Sequence, residues 1–125
     1  MAFAQARVAR GFELFAKAAR LDRRLRRADL VLTGEGRIDA STLMGKGTGQ
    51  VADWCEARGL GCVGLAGSLA TRGRPPSGFT QVHALTDLAL VHEAKANPRV
   101  YLERLAARVA RGVTGGKGCS REGGT

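Results

Sequence analysis

The chain has 125 residues, 44% of them hydrophobic, and a formal net charge of +9, which is enough for one domain built on one core. No run approaches the roughly 20 apolar residues of a membrane span, and Met1 to Arg7 lacks the charged-then-apolar order of a secretory signal, so the cytoplasm is the expected compartment. Arginine supplies 16 of the 20 basic residues in a chain also rich in alanine and glycine, a pattern that codon bias produces as readily as selection for a polyanion.

Residues 2–27 read as one or two helices, with Gly11 a candidate break. Val8, Phe12, Phe15 and Ala19 form one apolar stripe at helical spacing, and Leu14, Ala18, Leu21 and Leu25 form a neighbouring one. Arg20, Arg23, Arg24, Arg26 and Arg27 surround Leu21 and Leu25, so they are expected on a solvated helix face rather than on nucleic acid. No aromatic residues are interleaved with them.

Leu30 to Thr33 has the composition of a buried strand. From Gly34 the sequence changes to a polar, glycine-rich loop, and Glu35, Arg37, Asp39, Ser41, Thr42 and Lys46 follow within a dozen positions. Gly49 to Arg58 reads as a helix with Val51, Trp54 and Cys55 on one face and Gly59 as its stop. Leu60 to Ala66 is a second buried strand, ending at Gly67-Ser68. Residues 71–78 are a loop by composition. Val82 to Leu85 is a weaker third strand, closed by Thr86-Asp87, and Leu88 to Ala96 can begin a helix. Asn97-Pro98 marks another helix start, with Asn as N-cap and Pro in the first turn. Leu102, Leu105, Ala106, Val109 and Val113 form its apolar stripe, and Gly112 is expected to end or fray it. Residues 115–125 are glycine-rich and polar and are expected to be a disordered tail.

Strands alternating with helices predict an α/β fold: a small parallel sheet with flanking helices and right-handed crossovers. Three strands leave the sheet with open edges. Cys55, Cys62 and Cys119 form no CxxC, so neither zinc nor a redox pair is indicated, and Cys55 and Cys62 are expected in the core. His83 and His92 have no neighbouring metal-ligating partner.

The polar stretch after the first strand is the chemical candidate, because open α/β sheets place ligands at strand C-termini. Gly34 and Gly36 allow backbone N–H groups to approach an anion, and Gly67-Ser68 offers the same at the second strand. Glu35 and Asp39 carry hard oxygens for Mg²⁺ or a general base. Arg37 and Lys46 offer positive charge toward phosphate, and Ser41 and Thr42 can bond substrate hydroxyls. The competing reading is a strand–turn with solvated charges and a helix cap. There is no Walker A pattern, since Gly45-Lys46 is followed by Gly47.

The run ADLVLTGEGRIDASTLMGK at 28–46 resembles the signature of the type-1 glycerate kinase family. The similarity extends to Gly11–Ala16, Val51-Ala52, the strand Val63–Ser68 and the final helix, about residues 2–114. The resemblance implies ATP- and Mg²⁺-dependent phosphorylation of D-glycerate, and a fold that is part of a flavodoxin-like or Rossmann-like domain with substrates held between two domains. It implies that residues 1–114 are the C-terminal portion of such a protein, because Met1-Ala2-Phe3-Ala4 resembles the middle of a family chain. It carries Glu35, Arg37, Asp39, Ser41, Thr42 and Lys46 to the site, with Gly34, Gly36, Gly67 and Ser68 as further contacts. The individual roles are physical expectations: Asp39 as base or metal-linked carboxylate (Glu35 being the other candidate for metal), and Arg37 and Lys46 holding the carboxylate of glycerate or a phosphate. One wall of a water-excluding phosphoryl-transfer site is then missing, so residues 1–125 alone are expected to be weakly active or inactive. The alternative is a non-catalytic α/β fragment that acts with a partner chain or as a homodimer pairing its open edges.

Overall fold

The computed structural model describes residues 11–39, 47–70 and 75–115. The elements run α1 (Gly11–Ala18), α2 (Leu21–Arg27), β1 (Val31–Ile38), α3 (Gly47–Ala57), β2 (Cys62–Leu69), β3 (Gln81–Ala84), a 3-10 turn (Leu85–Asp87), α4 (Val91–Ala96) and α5 (Pro98–Gly115). The strands form a parallel sheet in the order β1-β2-β3, the α/β arrangement expected from strands that alternate with amphipathic helices. Both β1 and β3 are edges among the described residues.

The register runs from Val31 opposite Cys62 to Ile38 opposite Leu69, and from Val63 opposite Gln81 to Ala66 opposite Ala84. One difference from the sequence reading bears on function. The segment expected to loop from Gly34 onward continues as strand to Ile38, with Glu35 opposite Ala66 and Arg37 opposite Ser68. Glycine-rich sequence has low strand propensity, but here the neighbouring strand supplies the backbone partners. The glycines also allow close approach: a Cβ on Gly34 would lie 3.1 Å from the Leu65 carbonyl oxygen, and one on Gly67 only 2.6 Å from the Gly36 carbonyl oxygen. For the same reason β2 runs on to Leu69. β3 ends at Ala84, where the Asp87 carboxylate accepts the Ala84 N–H at 2.9 Å and winds the chain into the 3-10 turn.

Two clusters divide the core between the sheet faces. On one face Leu25 of α2, Ala52 and Cys55 of α3, Cys62 of β2 and Phe79 pack together. On the other, Leu85, Ala94 of α4 and Leu105 of α5 pack with Leu65 and Tyr101. α1 reaches the first cluster through Phe12, whose ring meets Trp54 edge-on at 5.5 Å. Its apolar stripes are only partly used: Leu14 and Phe15 are exposed while Ala16 is buried. An eight-residue helix lays only one edge on its neighbours. The α1–α2 break falls at Arg20, in the left-handed region with φ 51°; the break expected at Gly11 lies at the edge of the described residues.

Helix ends follow local chemistry. α3 closes with the Leu60 N–H on the Cys55 carbonyl (2.9 Å), the Gly59 N–H on the Glu56 carbonyl (3.1 Å) and Gly59 at φ 64°, the glycine stop expected from sequence. Glu93 accepts the Leu90 N–H at 3.0 Å at the start of α4. α5 begins at Pro98 and continues past Gly112 to Gly115. Of the arginine cluster, Arg24 donates to the Ala19 carbonyl at 2.8 Å and Arg26 pairs with Asp22 at 2.8 Å. Arg58 joins α3 to α2 by donating to Asp22, which holds that carboxyl below its usual range. No described helix is long and apolar enough to cross a membrane. The expected tail beyond Gly115, and Cys119 within it, lie outside the described residues.

Two outcomes follow from this packing. Gly67→Ala places a methyl group against a backbone carbonyl that cannot yield, so it should destabilise the chain by about 1–3 kcal/mol or more, read as a lowered denaturant midpoint with no ligand present. Burial pushes the Cys62 thiol up to about 12 from an ordinary 9.0, and burial raises Cys55 as well. An acid whose folded pKa is raised contributes stability that is fully present below the unfolded value and lost as pH climbs toward the folded one. Stability should therefore fall between pH about 9 and about 12, and Cys62→Ala should show a shallower alkaline loss in denaturant titrations.

Candidate functional site

β1 and β2 deliver the candidate residues to the C-terminal end of the sheet. Gly36 is followed by Arg37, and Gly67 by Ser68, across the same ladder. A cavity of about 280 Å³ opens there, lined by Gly36, Gly67, Ser68, Leu85, Thr86, Val91, Ala94, Lys95 and Pro98. It adjoins a groove of about 500 Å³ that shares Gly36, Gly67, Leu85 and Pro98 and extends along β1 past Gly34, Thr33 and Leu32 to Leu65 and Leu102. The two together form a trough between the sheet and the α4–α5 layer.

The charged residues divide around this trough. Glu35 accepts a hydrogen bond from the Thr48 hydroxyl at 2.7 Å, tying β1 to the first turn of α3. A carboxylate placed at a helix start is favoured by the exposed N–H groups and the dipole there. Arg37 and Asp39 pair with each other, Nε to Oδ2 at 3.5 Å, with the arginine side chain 66% and the aspartate 28% exposed. The acidic and basic groups at the β1 exit thus converge instead of diverging into solvent. That exposure leaves most donors of the guanidinium available to a further anion.

The glycines differ in what the structure asks of them. Gly34 and Gly67 stand where a side chain would strike the adjacent strand, whereas Gly36 has open space around its Cβ position. Strand packing alone therefore accounts for Gly34 and Gly67, while Gly36 borders the cavity without such a need. Ser41, Thr42 and Lys46 lie outside the described residues. Among those described, no group of three or more His, Cys, Asp and Glu residues could hold a metal ion. Glu35 and Asp39 are two separate carboxylates. That donor set suits a Mg²⁺ held mainly by nucleotide phosphates rather than an all-protein cage.

Two polar residues of the cavity escape the sequence reading. Thr86 follows the third strand, and the strand-end rule that singles out Ser68 would also have found it. Lys95 belongs to the last turn of α4. Its place at the cavity comes from how α4 packs on the sheet, and no local sequence signal marks it.

A family model described as the glycerate kinase family matches residues 1–114. A glycerate kinase of Bacillus subtilis is 28% identical over 116 residues, covering 90% of this chain and 30% of that protein. A glycerate 2-kinase of Escherichia coli is 38% identical over 69 residues, 55% of this chain and 18% of that one. Among solved structures, one described as a glycerate kinase 2 from Salmonella typhimurium LT2 superposes with a TM-score of 0.59 at 32% identity, covering 90% of this chain and 30% of that chain. The chain thus spans about 30% of the length of the first relatives it matches. With its sequence matched over 114 residues and its fold shared with a solved relative, the chain belongs to the glycerate kinase family.

Proposed function

We propose that this chain contributes the C-terminal portion, residues 1–114, of an enzyme that phosphorylates D-glycerate with ATP in the cytoplasm, and that residues 115–125 are a tail outside that fold. The family match supports the reaction. The observation that carries the site is the Arg37–Asp39 pair at the β1 exit, directly after the glycine that walls the cavity. In this reading a hydroxyl oxygen of glycerate attacks the γ-phosphorus of ATP, and the bond to the bridging oxygen breaks with its electrons leaving on ADP. Asp39 receives the hydroxyl proton. Arg37 holds Asp39 in place and turns its exposed donors toward the transferred phosphoryl group, where negative charge accumulates. Lys46, Ser41 and Thr42 continue the same chain segment and would supply a second cation and two hydroxyls, with Gly34 and Gly36 presenting backbone. Mg²⁺, held by Glu35 or Asp39 together with nucleotide phosphates, would neutralise charge on the transferred group.

No residue of α3 lines either cavity, so in this reading a second wall from the rest of the enzyme excludes water from the transfer. In an ADP-release assay with D-glycerate and MgATP, the 125-residue chain should turn over little by itself. Joined to the remaining portion of the Bacillus subtilis relative it should be active, and Asp39→Ala in that context should lower kcat by about 100-fold or more. Retention of near-normal kcat would remove Asp39 from the proton-transfer role.

A second reading is supported by the edge of β1, which no strand pairs among the described residues. Leu32 is 56% and Leu102 47% exposed, and both flank the groove beside that edge. Unpaired edges with apolar flanks recruit further strands, so the same chain could act through a partner or as a homodimer joined at β1. Sedimentation equilibrium should then report a dimer that Leu32→Lys converts to monomer; a monomer before and after the substitution rules out the homodimer.

A further inference from the structure

We propose that Lys95, with Thr86 and Ser68 at the same cavity, forms the subsite that takes the carboxylate of a small hydroxy acid. This deepens the kinase reading and rests on it for the identity of that acid. The cavity is closed on one side by the ends of β1 and β2 at Gly36, Gly67 and Ser68, and on the other by Lys95 of α4. Its volume of about 280 Å³ falls just below the ~300–1,000 Å³ of sites for drug-sized ligands. A molecule the size of glycerate fits such a space.

The wall chemistry points the same way. Leu85, Val91 and Ala94 present apolar surface suited to a short carbon skeleton. Lys95 is exposed and pairs with no carboxylate among the described residues. One ammonium group balances the single charge of a carboxylate, whereas a phosphate near −2 would call for more donors. Thr86 and Ser68 add hydroxyls that can accept from or donate to the hydroxyls of the acid. With the carboxylate on Lys95, Arg37 and Lys46 are left for phosphate.

The test uses ¹H–¹⁵N spectra of the full 125-residue chain titrated separately with D-glycerate, inorganic phosphate and MgATP. D-Glycerate should shift the amides of Gly67, Ser68, Thr86 and Lys95. Lys95→Met should weaken that binding by about tenfold or more while Lys95→Arg restores most of it, as expected for loss of a charged hydrogen bond. Shifts caused by phosphate but not by glycerate overturn the proposal, as does an absence of any glycerate-dependent shift. Glycerate shifts confined to Arg37–Asp39 that survive Lys95→Met also overturn it, and leave the kinase reading standing. Conversely, glycerate bound at Lys95 with no response to MgATP upholds the subsite and counts against the kinase reading.

Discussion

The parallel ladder between β1 and β2 is the constraint on which the rest of this molecule depends. It is held at close range because glycine occupies the positions where side chains would collide, above all Gly67 against the Gly36 carbonyl. That proximity does two things at once. It extends both strands beyond their apolar stretches, and it sets Gly36 beside Gly67 and Arg37 opposite Ser68 at one end of the sheet. Without the ladder the polar segment after Leu32 would have no fixed relation to the segment after Ala66.

Around that ladder the helices divide the labour. α3 sits over one face, with Cys55 and Ala52 in the core, and its first turn holds Glu35 through Thr48. α4 and α5 cover the other face only in part. Leu85, Ala94 and Leu105 seal its centre, while the strip along β1 from Leu32 to Leu102 stays open. The charged chemistry therefore lies at the boundary between a well-packed face and a partly uncovered one. Phosphoryl transfer needs its charges preorganised and its water excluded. In the proposed reading Glu35 and the Arg37–Asp39 pair would supply the first, and a second wall over the open strip would supply the other.

Legibility varied with the range of the interactions. The helix stop at Gly59, the start at Pro98 and the buried character of Cys55, Cys62 and Val63 are all visible in sequence, because they follow from backbone freedom, ring geometry and apolar spacing over a few residues. The course of Gly34 to Ile38 is misjudged by the same reasoning. Local propensity weighs glycine and charge against a strand, whereas the decisive contribution is pairing with residues 65–69, thirty positions away in the chain. Leu14 and Phe15 lie on the helix expected but stay exposed, because a stripe at helical spacing says which face is apolar, not whether anything covers it.

By itself the sequence determined the α/β class, the order of strands and helices, and the stretch around Glu35, Arg37 and Asp39 as the chemical candidate. Each of these depends on residue type and short-range spacing. Only the tertiary structure decided that Arg37 closes on Asp39, that Glu35 turns to Thr48, and that Thr86 and Lys95 share a cavity with Gly67 and Ser68. Those meetings join elements distant along the chain, and it is the strand register and the seating of α4 on the sheet, not any local pattern, that bring them within reach.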